Sequence, residues 1–148
     1  MAQTFSNLLT HVIFSTKDRL PFIGAELKPD LFSYMGGIVR ELNGKALTIN
    51  GTADHVHLLL NFPPILGVAD ALRVVKANSS RWAREGGRRK FAWQARYGAF
   101  SVSQSNLLAV AKYIADQEAH HRKATFEQEF LALLKKHGLP YDERYVWS

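Results

Sequence analysis

His55 and His57 flank a single valine inside the run Ala53-Asp54-His55-Val56-His57-Leu58-Leu59-Leu60. The run reads as a buried strand. Successive strand side chains alternate faces, so the two imidazoles point the same way while Val56 and Leu58 pack on the opposite face. Each buried imidazole carries a ring N–H that needs a partner. Two chemistries meet that demand: a divalent metal held by both rings, or a hydrogen-bonded pair. A catalytic metal uses about three protein ligands and keeps positions open for water or substrate, so further donors must come from another element.

Tyr113, Gln117, His120 and His121 lie in a helix expected over residues 105–123. At about 100° per residue, Leu107, Leu108, Ala111, Ile114 and Ala115 gather on one side, and the four polar residues fall on a different stripe. Tyr113 and Gln117 stand one turn apart, so a hydroxyl and an amide oxygen project side by side. Taken alone, a tyrosine on a polar stripe is an ordinary amphipathic surface residue. Its chemical interest comes from the histidine strand.

The remaining elements must bring these groups together. Residues 7–15 read as a first strand, followed by the basic turn Thr16-Lys17-Asp18-Arg19. Leu31, Phe32, Met35, Ile38, Val39 and Leu42 give helical spacing over residues 30–43, between the punctuation of Pro29 and Asn43-Gly44. Strands over 45–51 and 55–62 are joined by Thr52-Ala53-Asp54, which suggests a hairpin. A second helix covers 68–85, a short strand 99–102, and helices 105–123 and 126–137, before a tail over 139–148. The order is that of an α+β fold: a ferredoxin-like (split βαβ, RRM-like) antiparallel sheet with two helices on one face, plus C-terminal helices that carry the tyrosine. The second sheet face must be covered, wet or functional. The expected organisation is one domain over 1–148, with a core over about 5–125 and a C-terminal helix and tail over about 126–148.

Composition narrows the function classes. A chain of 148 residues with 47% hydrophobic content is expected to fold around a real core. It has no cysteine, which excludes disulfides, thiolate metal sites and thiol catalysis. The start of the chain lacks the pattern of a signal peptide, and no segment approaches the ~18 apolar residues of a membrane helix. A soluble, cytoplasmic protein is expected. The net charge of +6, from 19 Lys+Arg against 13 Asp+Glu, favours an anionic partner such as nucleic acid. Arg73, Lys76, Arg81, Arg84, Arg88, Arg89, Lys90 and Arg96 cluster, opposed only by Glu85. Such a block suits either a phosphate-contacting surface or simple solvation.

Several ordered pieces resemble one family. They are His11-Val12-Ile13-Phe14-Ser15-Thr16-Lys17-Asp18-Arg19, Asp54-His55-Val56-His57-Leu58-Leu59, and Lys76-Ala77-Asn78-Ser79-Ser80-Arg81. Tyr97-Gly98-Ala99-Phe100-Ser101-Val102, Tyr113-Ile114-Ala115-Asp116-Gln117 and His120-His121-Arg122-Lys123 complete the set. Together they resemble the one-tyrosine HUH transposases, small insertion-sequence enzymes that act on single-stranded DNA, over nearly the whole chain. The histidine–hydrophobe–histidine triplet alone is a weak pattern, whereas the ordered set is specific.

The resemblance implies a mechanism. His55, His57 and Gln117 would bind Mg²⁺ or Mn²⁺, and the metal would polarise the scissile phosphodiester. Tyr113 would attack phosphorus and stay joined to the DNA 5′ end, freeing a 3′-OH and conserving the bond energy for rejoining. A phenol with an ordinary pKa near 10 needs help to ionise, which the metal or the departing phosphate environment must provide; the sequence shows no obvious general base, and Asp54 and Asp116 are the candidates. The resemblance also implies hairpin recognition and a homodimer in which the tyrosine helix of one subunit can complete the site of the other. Lys17, Arg19, Arg73, Lys76, Arg81, Arg88 and Arg89 are the candidate phosphate contacts. Trp82 and Trp93 could stack on bases or sit in the core.

Other readings use the same residues differently. A histidine-triad nucleotide hydrolase needs a third alternating histidine, and that place holds Leu59. A non-catalytic or domesticated hairpin-binding protein on the same scaffold fits the charge, though such modules present sheet aromatics where this chain presents histidines. A zinc enzyme is disfavoured by a glutamine ligand and phosphate chemistry, which suit a harder cation.

Overall fold

The computed structural model describes residues 4–121 and 123–147. Arg122, part of one motif quoted above, lies outside the described residues. Four strands, β1 (Leu9–Ser15), β2 (Lys45–Gly51), β3 (His55–Asn61) and β4 (Gly98–Ser101), form one sheet of order β2-β3-β1-β4. Every pairing is antiparallel. With α1 (Leu27–Glu41) between β1 and β2, and α2 (Val68–Glu85) between β3 and β4, the topology is the expected ferredoxin-like one. Three further helices follow: α3 (Leu107–Ala115), α4 (Gln117–His121) and α5 (Phe126–Lys136).

Side-chain alternation divides the sheet into two chemically different faces. Val12 and Phe14 from β1 and Val56, Leu58 and Leu60 from β3 face α1 and α2, where Leu31, Met35, Leu72 and Val75 complete the main core. On the other face, Ile13 and Phe100 meet Phe126, Phe130 and Leu134 of α5 and Val146 of the tail. This second face is therefore covered by the chain's own C-terminal helices. His11, His55 and His57 lie on it, buried to 4%, 0% and 0% exposure. Trp93 is a core residue, packed edge-on to Phe14 and Phe91, with its indole N–H donating to Ser79 Oγ at 2.9 Å. Trp82 is half-buried and stacks on Tyr34.

Two boundaries differ from expectation for physical reasons. Helix α1 begins at Leu27 and contains Pro29 in its first turn, where the missing N–H has no intrahelical partner to lose. The helix expected over 105–123 is broken. A 3₁₀ turn occupies Gln104–Asn106, and the α-helix stops at Ala115, with Asp116 at φ −92°, ψ 19°. Asn50 of β2 causes this break by donating from Nδ2 to the carbonyls of Ile114 and Ala115, at 3.0 Å each. Those carbonyls would otherwise accept from the next helical turn. The bend turns Gln117 inward to complete burial. Leu108, expected on the apolar side, is 83% exposed.

Candidate metal and tyrosine site

Strand β3 supplies the two histidines, and the β2–β3 hairpin fixes their height. Gly51 pairs with Val56 so closely that a Cβ at Gly51 would sit 2.2 Å from the His55 carbonyl oxygen. Only glycine allows this approach. His55 is then held from behind, with Nδ1 2.8 Å from Asp54 Oδ1 and 2.9 Å from Thr52 Oγ1. Asp54 thus orients a histidine, as carboxylates behind metal-binding imidazoles do, and is not the partner of the tyrosine. His57 Nδ1 lies 2.8 Å from His11 Nε2, a diagonal contact across β1 and β3.

These contacts leave the Nε2 atoms of both β3 histidines facing α4 and α5. Gln117 Oε1 is 3.2 Å from His55 Nε2, and Gln117 Nε2 donates to the Tyr113 carbonyl at 3.2 Å. The four sequence-derived residues His55, His57, Tyr113 and Gln117 therefore come together, within one chain. The focus of the site, however, is Glu129. It projects from α5 at 3% exposure. Glu129 Oε1 lies 2.9 Å from His57 Nε2, 3.0 Å from His121 Nε2 and 3.5 Å from His55 Nε2. Glu129 Oε2 accepts a hydrogen bond from the Tyr113 hydroxyl and lies 3.3 Å from His120 Nε2.

The electrostatics follow from this packing. Burial opposes the charged form of His55, but the carboxylates of Asp54 and Glu129 prevail and push it up to about 9. Burial, with His57 alongside, lowers His11 to about 3, so its ring is neutral. Burial likewise lowers His57. For Glu129, burial is outweighed by His121, His55 and His57, and the carboxyl is held far below the usual range. Tyr113 is pushed up by burial and by the Glu129 carboxylate. The phenol is thus held neutral in this arrangement.

The donor set, three imidazole nitrogens and a carboxylate oxygen, fits a divalent cation. His55, His57, His121 and Glu129 offer ligand atoms all within 4.8 Å of one another. Bonds near 2.1 Å in octahedral geometry put adjacent ligand atoms about 3 Å apart, comparable with the separations of Glu129 Oε1 from the three imidazoles. Gln117 Oε1 adds a fifth donor. The same separations also suit hydrogen bonds, so protons or a cation could join these atoms.

The candidate phosphate contacts divide in two. Lys17, Arg73, Arg81, Arg88 and Arg89 are exposed. Lys76 and Arg19 are engaged within the chain. Lys76 Nζ donates to the carbonyls of Gln94, Ala95 and Arg96 at 2.6, 3.3 and 3.2 Å and lies over the Phe14 and Tyr97 rings. Arg19 pairs with Glu127 at 3.0 Å and lies over Trp147. Asp116, the other candidate base, is exposed at the end of α3.

Among the described residues, no helix is long and apolar enough to cross a membrane. No curated protein matches the chain. Solved structures do. A transposase candidate from Deinococcus radiodurans aligns with a TM-score of 0.65 at 22% identity, covering 79% of this chain and 95% of its own. A REP-associated tyrosine transposase bound to a REP hairpin aligns with a TM-score of 0.61 at 12% identity, covering 82% of this chain and 74% of its own. At these identities the likeness establishes the fold. The family model described as "Transposase IS200 like" matches residues 4–117, which include β1, the histidine strand, Tyr113 and Gln117. The chain belongs to the IS200-like, one-tyrosine HUH transposase family.

Proposed function

We propose that the protein is a metal-dependent tyrosine nuclease and strand transferase that acts on single-stranded DNA beside hairpins. The observation that carries this reading is the Tyr113 hydroxyl, set against a buried carboxylate on which three imidazoles converge. The Tyr113 oxygen forms a bond to phosphorus as the bond from phosphorus to the 3′ oxygen breaks. The DNA 5′ phosphate stays on Tyr113, and the departing oxygen takes a proton to become a 3′-OH. Glu129 Oε2 accepts the phenolic hydrogen bond and takes the proton only as the bond to phosphorus forms, since its low proton affinity keeps the resting phenol neutral. A later 3′-OH attack on the phosphotyrosine rejoins a strand and restores the enzyme.

His55, His57 and Gln117, with His121 and Glu129, would hold Mg²⁺ or Mn²⁺. When bound, such a cation supplies Lewis-acid stabilisation of the charge developing on the phosphate. Asp54 and His11 act from behind, fixing the ring orientations of His55 and His57. Lys17, Arg73, Arg81, Arg88 and Arg89 are exposed cations suited to the DNA backbone. The structural neighbour bound to a REP hairpin supports a hairpin partner. Tyr113 lies over its own histidine face, so each chain of a homodimer would carry a complete site. The reaction is expected in the cytoplasm.

Covalent capture tests this. Purified protein is mixed with single-stranded DNA from the flanks of its own gene, with Mg²⁺ or Mn²⁺, and run on a denaturing gel. A metal-dependent adduct that Tyr113→Phe and His55→Ala both lose is expected. Hairpin binding with no adduct would instead indicate a non-catalytic binding protein.

A further inference from the structure

On the other side of Tyr113 lies a cleft between α3, α5 and the outer edge of β4. Its volume is about 380 Å³, towards the lower end of the roughly 300–1,000 Å³ of small-molecule sites. His11 and Phe100 line it from the sheet, Val110 and Tyr113 from α3, and Leu133 and His137 from α5. His137 lies flat against Phe100, with ring centroids 4.4 Å apart and planes inclined by 14°. Exposed Lys136 also borders the cleft.

Two observations give the cleft a chemistry. First, His11 is 96% buried, yet its one hydrogen bond among the described residues uses Nε2, to His57. No fully buried side-chain nitrogen or oxygen among the described residues lacks a partner. His11 Nδ1 must therefore reach accessible space, and the space that His11 lines is this cleft. Second, Tyr113 belongs to both sites. Its hydroxyl meets Glu129, while its ring stands edge-on to His11, 6.2 Å between centroids, and forms part of the cleft wall.

We propose that this cleft is a nucleobase subsite, holding a base of the strand whose phosphate meets Tyr113. The inference rests on the nuclease reading above. A phosphate at the Tyr113 hydroxyl has its own base, or the next one, within a nucleotide's reach of the cleft. The walls suit a flat heterocycle: apolar Val110 and Leu133, aromatic surfaces of the kind on which bases stack, and the accessible Nδ1 of otherwise buried His11 for the base edge, with Ser101 and Asn106 as further polar lining. Lys136 at the border suits the backbone. His11 Nδ1 reads the edge as an acceptor when His57 Nε2–H donates to Glu129. It would read as a donor with a cation held by His57, because the His57–His11 hydrogen bond would then reverse.

The test uses the full chain with labelled Val and Leu methyl groups and Mg²⁺ present, followed by NMR. Each of the four deoxynucleoside 5′-monophosphates is titrated, with deoxyribose 5-phosphate as the base-free control. At least one nucleotide is expected to shift the Val110 and Leu133 methyl resonances saturably, while the control leaves them in place. Val110→Trp, which fills the cleft, is expected to weaken the response at the Leu133 methyls at least tenfold. The subsite is refuted if no nucleotide moves these resonances, or if the base-free phosphate moves them equally. The wild-type titrations decide this even if the variant fails to fold. Failure here alongside a Tyr113–DNA adduct would remove the subsite alone, and methyl shifts without an adduct would remove the nuclease reading alone.

Discussion

Replacing the two carboxylates that flank His55 should flatten the alkaline limb of the protein's stability. In the folded chain, Asp54 and Glu129 outweigh burial and raise His55 from 6.5 to about 9. The unfolded chain releases this proton near 6.5, whereas the folded chain keeps it to about 9. The stabilisation is therefore complete below pH 6.5 and is lost as pH rises through 9. At about 1.36 kcal/mol per pH unit, His55 alone should cost metal-free protein about 2 kcal/mol between pH 6.5 and 8, a loss partly offset by His11 and His57, whose lowered pKa values favour folding as pH rises through 6.5. Urea unfolding at several pH values in EDTA measures this directly, since the midpoint shifts while the slope on urea stays constant. Asp54→Asn and Glu129→Gln should each shrink the loss, and the double variant should abolish it. A flat wild-type profile over this window, or an unchanged loss in the double variant, would refute the electrostatic account.

Two further outcomes concern positioning and DNA contact. Gly51→Ala puts a methyl group 2.2 Å from the His55 carbonyl oxygen. Such overpacking should destabilise the fold by roughly 1–3 kcal/mol and weaken Mn²⁺ binding, both measurable by thermal melts with and without the ion. In hairpin-DNA binding across a salt series, Arg73→Ala and Arg81→Ala should each lower the slope of log affinity on log salt by about 1. Lys76→Ala should leave that slope unchanged and instead lower the melting temperature, because its ammonium serves three backbone carbonyls.

What the sequence made legible follows from periodicity. The period of two in His55-Val56-His57 places both rings on one face whatever surrounds them, and the one-turn spacing of Tyr113 and Gln117 survives because both lie on the side of the chain that turns inward. The helix break at Asp116 was not legible, because Asn50, which caps the carbonyls of Ile114 and Ala115, lies far away in sequence. Glu129 was missed although a signal existed. It falls between Phe126 and Phe130 and one helical turn before Leu133, so it is a carboxylate on the stripe that α5 buries. Such a residue needs partners, and the histidines are the groups able to provide them. His11 required the register of β1 against β3, which places it diagonally beside His57. The basic cluster announced an anionic partner, but nothing in its spacing separated Lys76, tied to a loop, from the exposed arginines around it.

The most direct measurement of the central claim is the identity of the residue that carries the DNA. The covalent adduct, trimmed with nuclease and protease, is mapped by mass spectrometry. The expected result is a 5′-phosphonucleotide on the peptide containing Tyr113, formed only with divalent metal and absent from Tyr113→Phe. A nucleotide on any other residue, or an adduct that persists in Tyr113→Phe, would contradict the assignment of Tyr113 as the nucleophile.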